Sequence, residues 1–248
     1  MIPKIIHYCW LSDDPYPELI EQCFTSWKQN LVGYELHRWD IGRAPKVPWV
    51  LEAFEDRKYA FAADYIRFYA LYQMGGIYLD ADVEVFQSFD AMLANRSFIG
   101  YDTMGDIEAA VIGAEKGCGW VKACLDAYEG KHFKREDGSL DMETVPFLIH
   151  RILRQRYKLQ PDASDMVQHY EDLSIFPAVY FSPKNLFTKN IEVGVETVCV
   201  HHFEGQWVKH TPLFAMKHMM HRLVLFLLGR RAHRRVAHAF RKLLGIGQ

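Results

Sequence analysis

The sequence predicts an α/β domain built around one mostly parallel sheet. Strand-like and helix-like runs alternate along most of the 248 residues, which is the pattern of such domains. Residues 2–10 and 34–39 are strand-like, and the segment between them, 17–30, places its apolar residues on one helical face. A strand, a helix and a second strand within about 40 residues predict a βαβ unit.

The elements that follow continue this alternation. Pro45 and Pro48 are expected to interrupt the chain, and a helix is predicted for residues 58–74. Gly75-Gly76 ends that helix, because glycine adopts the left-handed conformation of a helix terminus without a Cβ clash. A short strand at 77–79 comes next. Further strand-like runs lie at 98–101, 109–114, 174–181 and 195–201, and further helices at 119–129 and 144–157.

Composition and charge indicate a folded body with a distinct C-terminal segment. Hydrophobic residues make up 50% of the chain, which excludes a disordered protein. The formal net charge is −2, but residues 213–248 hold eight Lys and Arg and no acid, so residues 1–212 carry about −10. We therefore predict a domain at 1–210 and a basic appendage at 211–248. Because residues 1–212 are acidic, we do not expect the protein surface as a whole to bind nucleic acid.

Cysteine usage and hydropathy predict a cytoplasmic chain. The five cysteines are odd in number and form no C-x-x-C pair, which is typical of reduced thiols rather than disulfides or a zinc site. The first ten residues lack the features of a secretory signal. The longest strongly apolar run, 223–228, is much shorter than the ~20 residues that span a bilayer.

Two aspartates, Asp80 and Asp82, follow the strand at 77–79 and form the strongest chemical signal. Ligands of open α/β sheets bind beyond the carboxyl ends of strands, and paired carboxylates there can hold Mg²⁺ or Mn²⁺ against a diphosphate. On the preceding helix, Asp64 and Arg67 are three residues apart, and a guanidinium suits phosphate oxygens. Tyr78 points to the same side as Asp80. The alternatives are a solvated strand end and a simple intrahelical ion pair.

These residues lie in a block, AADYIRFYALYQMGGIYLDADVEVF (62–86), that resembles glycosyltransferase family 32, the sugar-binding region containing a DXD motif. The block is also similar to the catalytic domains of the large clostridial glucosylating toxins. The opening IPKIIHYCWLSDDPYP (2–17) resembles the family's first strand, and VCVHHFEGQW (198–207) resembles its closing block. The resemblance implies a GT-A fold with a single Rossmann-like mixed sheet, a nucleotide-sugar donor, a divalent ion and retention of anomeric configuration.

The resemblance also implies roles for individual residues. Asp80 would contact the donor ribose and sugar hydroxyls, and Asp82 would ligate the metal. Asp64 would accept hydrogen bonds from the transferred sugar, and Arg67 would hold donor oxygens. Three further residues are expected to contact the nucleotide sugar. Trp10 would stack on the base, which favours uridine, and Trp207 would close over the diphosphate. Tyr78 would lie beside the sugar. For both tryptophans the alternative is core packing.

The closing block departs from the family pattern, because Gln206 stands where the family usually has serine. His201 and His202 alternate across a strand, so only one of them can face the site. The run His202-Phe203-x-Gly205 is similar to the H-F-x-G of family 8, where the histidine binds metal, so we predict His202 as the ligand rather than His201. The alternative is one core and one surface histidine. Weaker substrate-side candidates, in segments that resemble the family's acceptor and sugar regions, are Asp106, Glu108 and Thr144.

The C-terminal segment has apolar residues at steps of three and four among arginines, which is typical of a basic amphipathic helix. We predict that it binds the inner face of a membrane peripherally; packing on the domain or on a protein partner is the alternative. The predicted function is transfer of a hexose from a nucleotide sugar, UDP-linked on the evidence of Trp10, to a glycan or lipid-linked glycan in surface polysaccharide synthesis. The alternatives are a non-catalytic nucleotide-sugar or glycan binder and a nucleotide-sugar hydrolase.

Overall fold

The structure, a computed structural model, describes residues 1–160, 164–185 and 188–204. The predictions for Gln206, Trp207 and the basic segment at 211–248 lie outside these residues. The described elements are, in chain order, β1 (Ile5–Cys9), α1 (Glu18–Asn30), β2 (Glu35–Trp39), α2 (Pro48–Glu55), α3 (Tyr59–Met74), β3 (Gly76–Leu79), β4 (Val83–Val85), a 3₁₀ turn (Asp90–Met92), β5 (Ser97–Tyr101), β6 (Ile107–Ala114), α4 (Gly119–Asp126), α5 (Val145–Arg156), β7 (Gln168–His169), β8 (Ser174–Phe176), α6 (Ala178–Phe181) and β9 (Cys199–His201).

Seven of these strands form one sheet in the order β2-β1-β3-β6-β5-β8-β7, and β4 pairs with β9 in a separate two-stranded ladder. The predicted βαβ unit is confirmed, because β1 and β2 are parallel and flank α1. The sheet is mixed, as the family resemblance implies, and not mostly parallel as the alternation of elements predicted. β6 runs antiparallel to both β3 and β5, and β7 runs antiparallel to β8. The short β5–β6 connection explains part of this, since a tight turn can join only antiparallel neighbours.

Three other elements differ from the sequence prediction. The predicted break at Pro48 is instead the start of α2, since proline is tolerated in the first turn of a helix. The strand predicted for 174–181 is divided at Pro177 into β8 and the short helix α6. β4 was not predicted, because three residues are too few for a periodic signal.

The sheet is covered on both faces by apolar side chains. Ile77 and Leu79 pack in one cluster with Trp27 of α1, whereas Tyr78 packs in the other with residues of α2, α3, α4 and α5. Successive strand residues point to opposite faces, so the two clusters lie on opposite sides of β3. The strand that leads to Asp80 is therefore held between two layers. Within the described part of the chain, no helix combines the length and hydropathy needed to cross a membrane.

A buried histidine anchors the start of β3. The Nδ1 atom of His7 accepts a hydrogen bond from the Trp39 indole (3.2 Å), so Nε2 carries the proton and donates to the carbonyl of Gly75 (2.8 Å). Burial lowers the pKa of His7 to about 4. Gly76 has φ of +113°, and a Cβ there would lie 2.7 Å from the Ile5 carbonyl oxygen, so only glycine fits.

Candidate active site

Asp80, Asp82 and His201 form the cluster around which the candidate site is built. Each offers one oxygen or nitrogen atom, and these three atoms lie within 4.8 Å of one another. The aspartates occupy the turn between β3 and β4, and the antiparallel pairing of Val83 with His201 brings the imidazole to the same place. Two carboxylates and an imidazole are a donor set that divalent transition ions accept.

Hydrogen bonds to the backbone hold the acidic turn in place. The amide of Asp80 donates to the Ala110 carbonyl (2.9 Å), and the carbonyl of Asp82 accepts from the His202 amide (3.0 Å). One carboxylate oxygen of Asp82 accepts from the Glu204 amide (3.0 Å), and the other lies 3.4 Å from Nε2 of His201. The turn is thus fixed from both the main sheet and the ladder.

The structure corrects the choice between the two histidines. His201, not the predicted His202, joins the aspartates, and its side chain is only 11% exposed. The ring of His202 instead contacts Glu84 (2.9 Å), its neighbour on the ladder. Alternation along β9 predicted that only one ring faces the site, but the similarity to H-F-x-G pointed to the wrong one.

Arg67 links the helix α3 to the acidic turn. Its guanidinium donates to the Ala109 carbonyl (2.7 Å) and to Asp64 (2.9 Å), and reaches Asp80 at 3.5 Å. The group also lies over the ring of Tyr78, 4.7 Å from the centroid. Arg67 is 4% exposed, so its contacts in this structure are made with the protein. A direct contact of Arg67 with donor oxygens stays a prediction. Tyr78 is 1% exposed, and the face of its ring packs against the guanidinium.

Burial and pairing set the charges of the cluster. Burial raises the pKa of Asp64 to about 7, and burial also raises the pKa of Asp80. For Asp82 burial acts in the same sense, but the charge of His201 and the hydrogen bonds from His201 and the Glu204 amide together outweigh it, so the pKa of Asp82 is lowered. Burial disfavours the His201 cation, yet Asp82 and Glu108 together raise the pKa of His201 well above its usual value. The imidazole of His201 therefore carries protons on both ring nitrogens in this structure, and a cation that bound through Nε2 would have to displace one of them.

A bulge in β6 supplies the backbone groups of the site. The pairing of β5 with β6 shifts after Ile99, so that Gly100 lies opposite Glu108 and residues 109–111 are passed over. The carbonyls of Ala109 and Ala110 accept from Arg67 and Asp80, while the amide of Ala110 donates to the Glu108 carboxylate (2.9 Å). Such bulges commonly re-aim side chains beside active sites. These backbone groups were not predicted from the sequence, because a bulge in an apolar strand has no clear sequence signal.

The other predicted residues have varied positions. The indole of Trp10 is half-buried, donates to the Asp14 carbonyl (3.1 Å) and packs edge-on against Tyr16. Asp106 lies in the β5–β6 turn, where its amide donates to the carboxylate of Asp102 (3.0 Å). Thr144 immediately precedes α5. Stacking of Trp10 on a base and the substrate contacts of Asp106 and Thr144 stay predictions.

Comparison with known proteins identifies the region that contains the two aspartates of this cluster. Residues 17–99 match the family described as the glycosyltransferase sugar-binding region containing a DXD motif. The resemblance to glycosyltransferase family 32 is therefore confirmed over this region. Asp64, Arg67, Asp80 and Asp82 lie within it, whereas His201 and Glu108 lie beyond it.

Two curated relatives are fungal enzymes of glycolipid synthesis. Inositol phosphoceramide mannosyltransferase 3 of Schizosaccharomyces pombe is 31% identical over 122 residues, and mannosyl phosphorylinositol ceramide synthase SUR1 of Saccharomyces cerevisiae is 30% identical over 111 residues. The matches cover 47% and 40% of this chain, but only 34% and 27% of those relatives.

Two solved structures with distant similarity to this chain are named as glycosyltransferases. The PaToxG glycosyltransferase is 18% identical, with a TM-score of 0.47 over 62% of this chain and 69% of that one. GlyE of Streptococcus pneumoniae TIGR4 is 12% identical, with a TM-score of 0.46 over 96% of this chain and 64% of that one.

Proposed function

We propose that this chain, which carries the sugar-binding region of the DXD-motif glycosyltransferases, transfers a hexose from a nucleoside-diphosphate sugar to a hydroxyl group of a glycan or lipid-linked acceptor. The observation that supports the proposal most directly is the cluster of Asp80, Asp82 and His201. Its two aspartates follow the end of the strand β3. They lie within residues 17–99, which match a sugar-binding region.

The residues of the cluster fit a divalent cation. Asp80, Asp82 and His201 present two carboxylates and one imidazole, whose ligating atoms lie within 4.8 Å of one another. Mg²⁺ takes oxygen ligands and keeps its waters, whereas Mn²⁺ accepts an imidazole more readily, so the mixed set favours Mn²⁺. Such an ion, when bound, offsets the negative charge of a diphosphate leaving group.

The protein groups around the cluster orient the donor. Arg67 holds Asp80 and Asp64 in one arrangement through its fork of donors. Asp80 is partly accessible, with a side chain 28% exposed, so it can accept from donor hydroxyls while Arg67 remains buried. Catalysis in this arrangement is electrostatic and positional, and we expect retention of anomeric configuration as the family resemblance implies.

Mannose and a lipid-borne acceptor are the substrates that we favour. One curated relative is named an inositol phosphoceramide mannosyltransferase, and the other is named a mannosyl phosphorylinositol ceramide synthase. This shifts the expected donor from the uridine nucleotide suggested by Trp10 to any nucleoside-diphosphate mannose. A lipid-borne acceptor also fits peripheral attachment to the inner face of a membrane through the basic segment at 211–248, which is rich in arginine and free of acids.

Thermal stability with and without Mn²⁺ tests the donor and the metal together. Uridine and guanosine diphosphate hexoses would be screened with the full chain, and a ligand at 100 times its dissociation constant should add about 2.7 kcal/mol to the free energy of unfolding. We predict that Asp82→Asn abolishes the Mn²⁺-dependent part of this gain. Asp126→Asn, the same change on the exposed end of α4, should leave it intact. An Asp82→Asn protein that keeps the full Mn²⁺ effect would remove Asp82 from the metal site.

The same donor then separates transfer from the alternatives. With a radiolabelled sugar, a transferase labels an added acceptor glycolipid. Release of free hexose that no acceptor changes indicates a hydrolase, and donor binding without turnover indicates a non-catalytic binder. Either outcome would overturn the transferase proposal.

A further inference from the structure

We infer that Glu108 is a positioning residue, which holds the imidazole of His201 in the tautomer and orientation that present Nε2 to the cation. The inference rests on the proposed function, because it presumes that the cluster of Asp80, Asp82 and His201 binds a divalent ion. It concerns a residue beyond the matched region 17–99.

The imidazole of His201 lies between two carboxylates on its opposite edges. Nε2 is 3.4 Å from a carboxylate oxygen of Asp82, and Nδ1 is 3.5 Å from a carboxylate oxygen of Glu108. The side chains of both His201 and Glu108 are 11% exposed, so water has little access to this contact. Since the two ring nitrogens point in different directions, Glu108 lies across the ring from the aspartates.

This arrangement decides which nitrogen can bind a cation. A neutral imidazole has a proton on one nitrogen and a lone pair on the other, and only the lone pair ligates metal. The Nδ1 atom of His201 makes no regular hydrogen bond within the described part of the chain. An ionised carboxylate can only accept, so Glu108 retains the proton on Nδ1 when a cation takes the place of the Nε2 proton between the ring and Asp82.

Glu108 is itself held in place by the β6 bulge. Its Oε1 atom accepts from the amide of Ala110, and Ala110 in turn accepts the amide of Asp80 through its carbonyl. Ala110 of β6 therefore fixes two parts of the site. Its amide holds the Glu108 carboxylate, and its carbonyl holds the turn that contains Asp80 and Asp82. This shared support explains how a ligand from the separate ladder, His201, stays in register with Asp80.

Titration of Mn²⁺ alone, without donor, tests this role apart from activity. The free ion would be followed by electron paramagnetic resonance in the presence of the full chain. We expect Glu108→Gln to weaken Mn²⁺ binding by about 10- to 100-fold, the usual effect of removing the partner of a ligating histidine. Glutamine keeps the size of the side chain, and its amide oxygen can replace the Oε1 atom that accepts from Ala110 and faces Nδ1. The substitution therefore removes the negative charge that strengthens the contact with Nδ1–H.

The neighbouring ladder pair provides a matched control. Glu84 contacts the ring of His202 at 2.9 Å on the other face of the ladder, so Glu84→Gln makes the same chemical change to a Glu–His pair outside the cluster. It should leave Mn²⁺ affinity unchanged. His201→Ala gives the second control: in that background Glu108→Gln should have no further effect, because there is no imidazole left to orient.

The outcomes are distinguishable. Tight Mn²⁺ binding by the unaltered chain together with equal binding by Glu108→Gln overturns this inference and leaves the proposed function standing. Additive losses in the double variant also overturn it, since they mean that Glu108 acts without His201. If the unaltered chain binds no Mn²⁺, the proposed metal site fails and the inference with it. Should Glu108→Gln not fold, Glu108→Asp, which withdraws the carboxylate from Nδ1 but keeps its charge, is expected to weaken binding in the same way.

Discussion

Lowering the pH below about 6.5 should destabilise this protein through one residue, His7. The imidazole is fully buried, its Nε2–H donates to Gly75 and its Nδ1 accepts from Trp39. Protonation of His7 would place the additional proton on Nδ1, which accepts the hydrogen bond from Trp39, and it would put a charge among apolar side chains. Burial accordingly lowers the pKa of His7 from 6.5 to about 4 in the folded chain.

The size and sign of the effect follow from this pKa. Between pH 6.5 and 4 the unfolded chain binds a proton at His7 that the folded chain does not, so stability falls as the pH falls. Each pKa unit corresponds to about 1.4 kcal/mol, which gives a total loss of about 3 kcal/mol across the window. Below pH 4 both states are protonated and the contribution levels off.

The assay is urea unfolding followed by tryptophan fluorescence at several pH values, with His7→Gln as the non-titrating comparison. Carboxylates titrate in both proteins, so they cancel when the two free energies of unfolding are subtracted. The free energy of unfolding of the unaltered chain, minus that of His7→Gln, should fall by about 2 kcal/mol as the pH is lowered from 6.5 to 5. His169→Gln, which replaces an exposed histidine of β7, serves as the control for the substitution itself. A pH-independent difference for His7→Gln would refute the argument.

Two further changes test the supports of the site. Gly76→Ala should lower the free energy of unfolding in urea by about 3 kcal/mol or more, because the new Cβ meets a backbone oxygen at positive φ. Gly130→Ala, also at positive φ but with nothing within 4 Å of its Cβ, should lower it by only about 1 kcal/mol. Equal losses would contradict the argument from the close approach of the Ile5 carbonyl. Arg67→Met should cost about 3–5 kcal/mol, because it leaves the buried Asp64 and the partly buried Asp80 without their partner, and adding Asp64→Asn should recover part of the loss. Failure of the double variant to recover stability would show that Arg67 contributes by packing alone.

The parts of the fold that the sequence predicted well have local signals. The βαβ unit and the helix-Gly-Gly-strand run both depend on periodicity and on glycine within a few residues. The antiparallel placement of β6 between β3 and β5 could not be predicted in this way, because strand order depends on contacts between distant segments. The start of α2 at Pro48 was misread since proline both interrupts chains and opens helices.

The same distinction applies to the candidate site. Asp64, Arg67, Asp80 and Asp82 were predicted from one continuous block, and the structure brings all four together. The choice between His201 and His202 depended on the register of β9 against β4, which no local pattern encodes. Backbone groups exposed by the β6 bulge had no signal at all.

The ladder of β4 and β9 has a consequence for the order in which the protein is made. Both aspartates are synthesised before His201, which lies on the last described strand. A nascent chain that ends before β9 has the acidic turn but not its imidazole. Under the proposed function, the chain can therefore take up the ion with its full set of ligands only once β9 has been made.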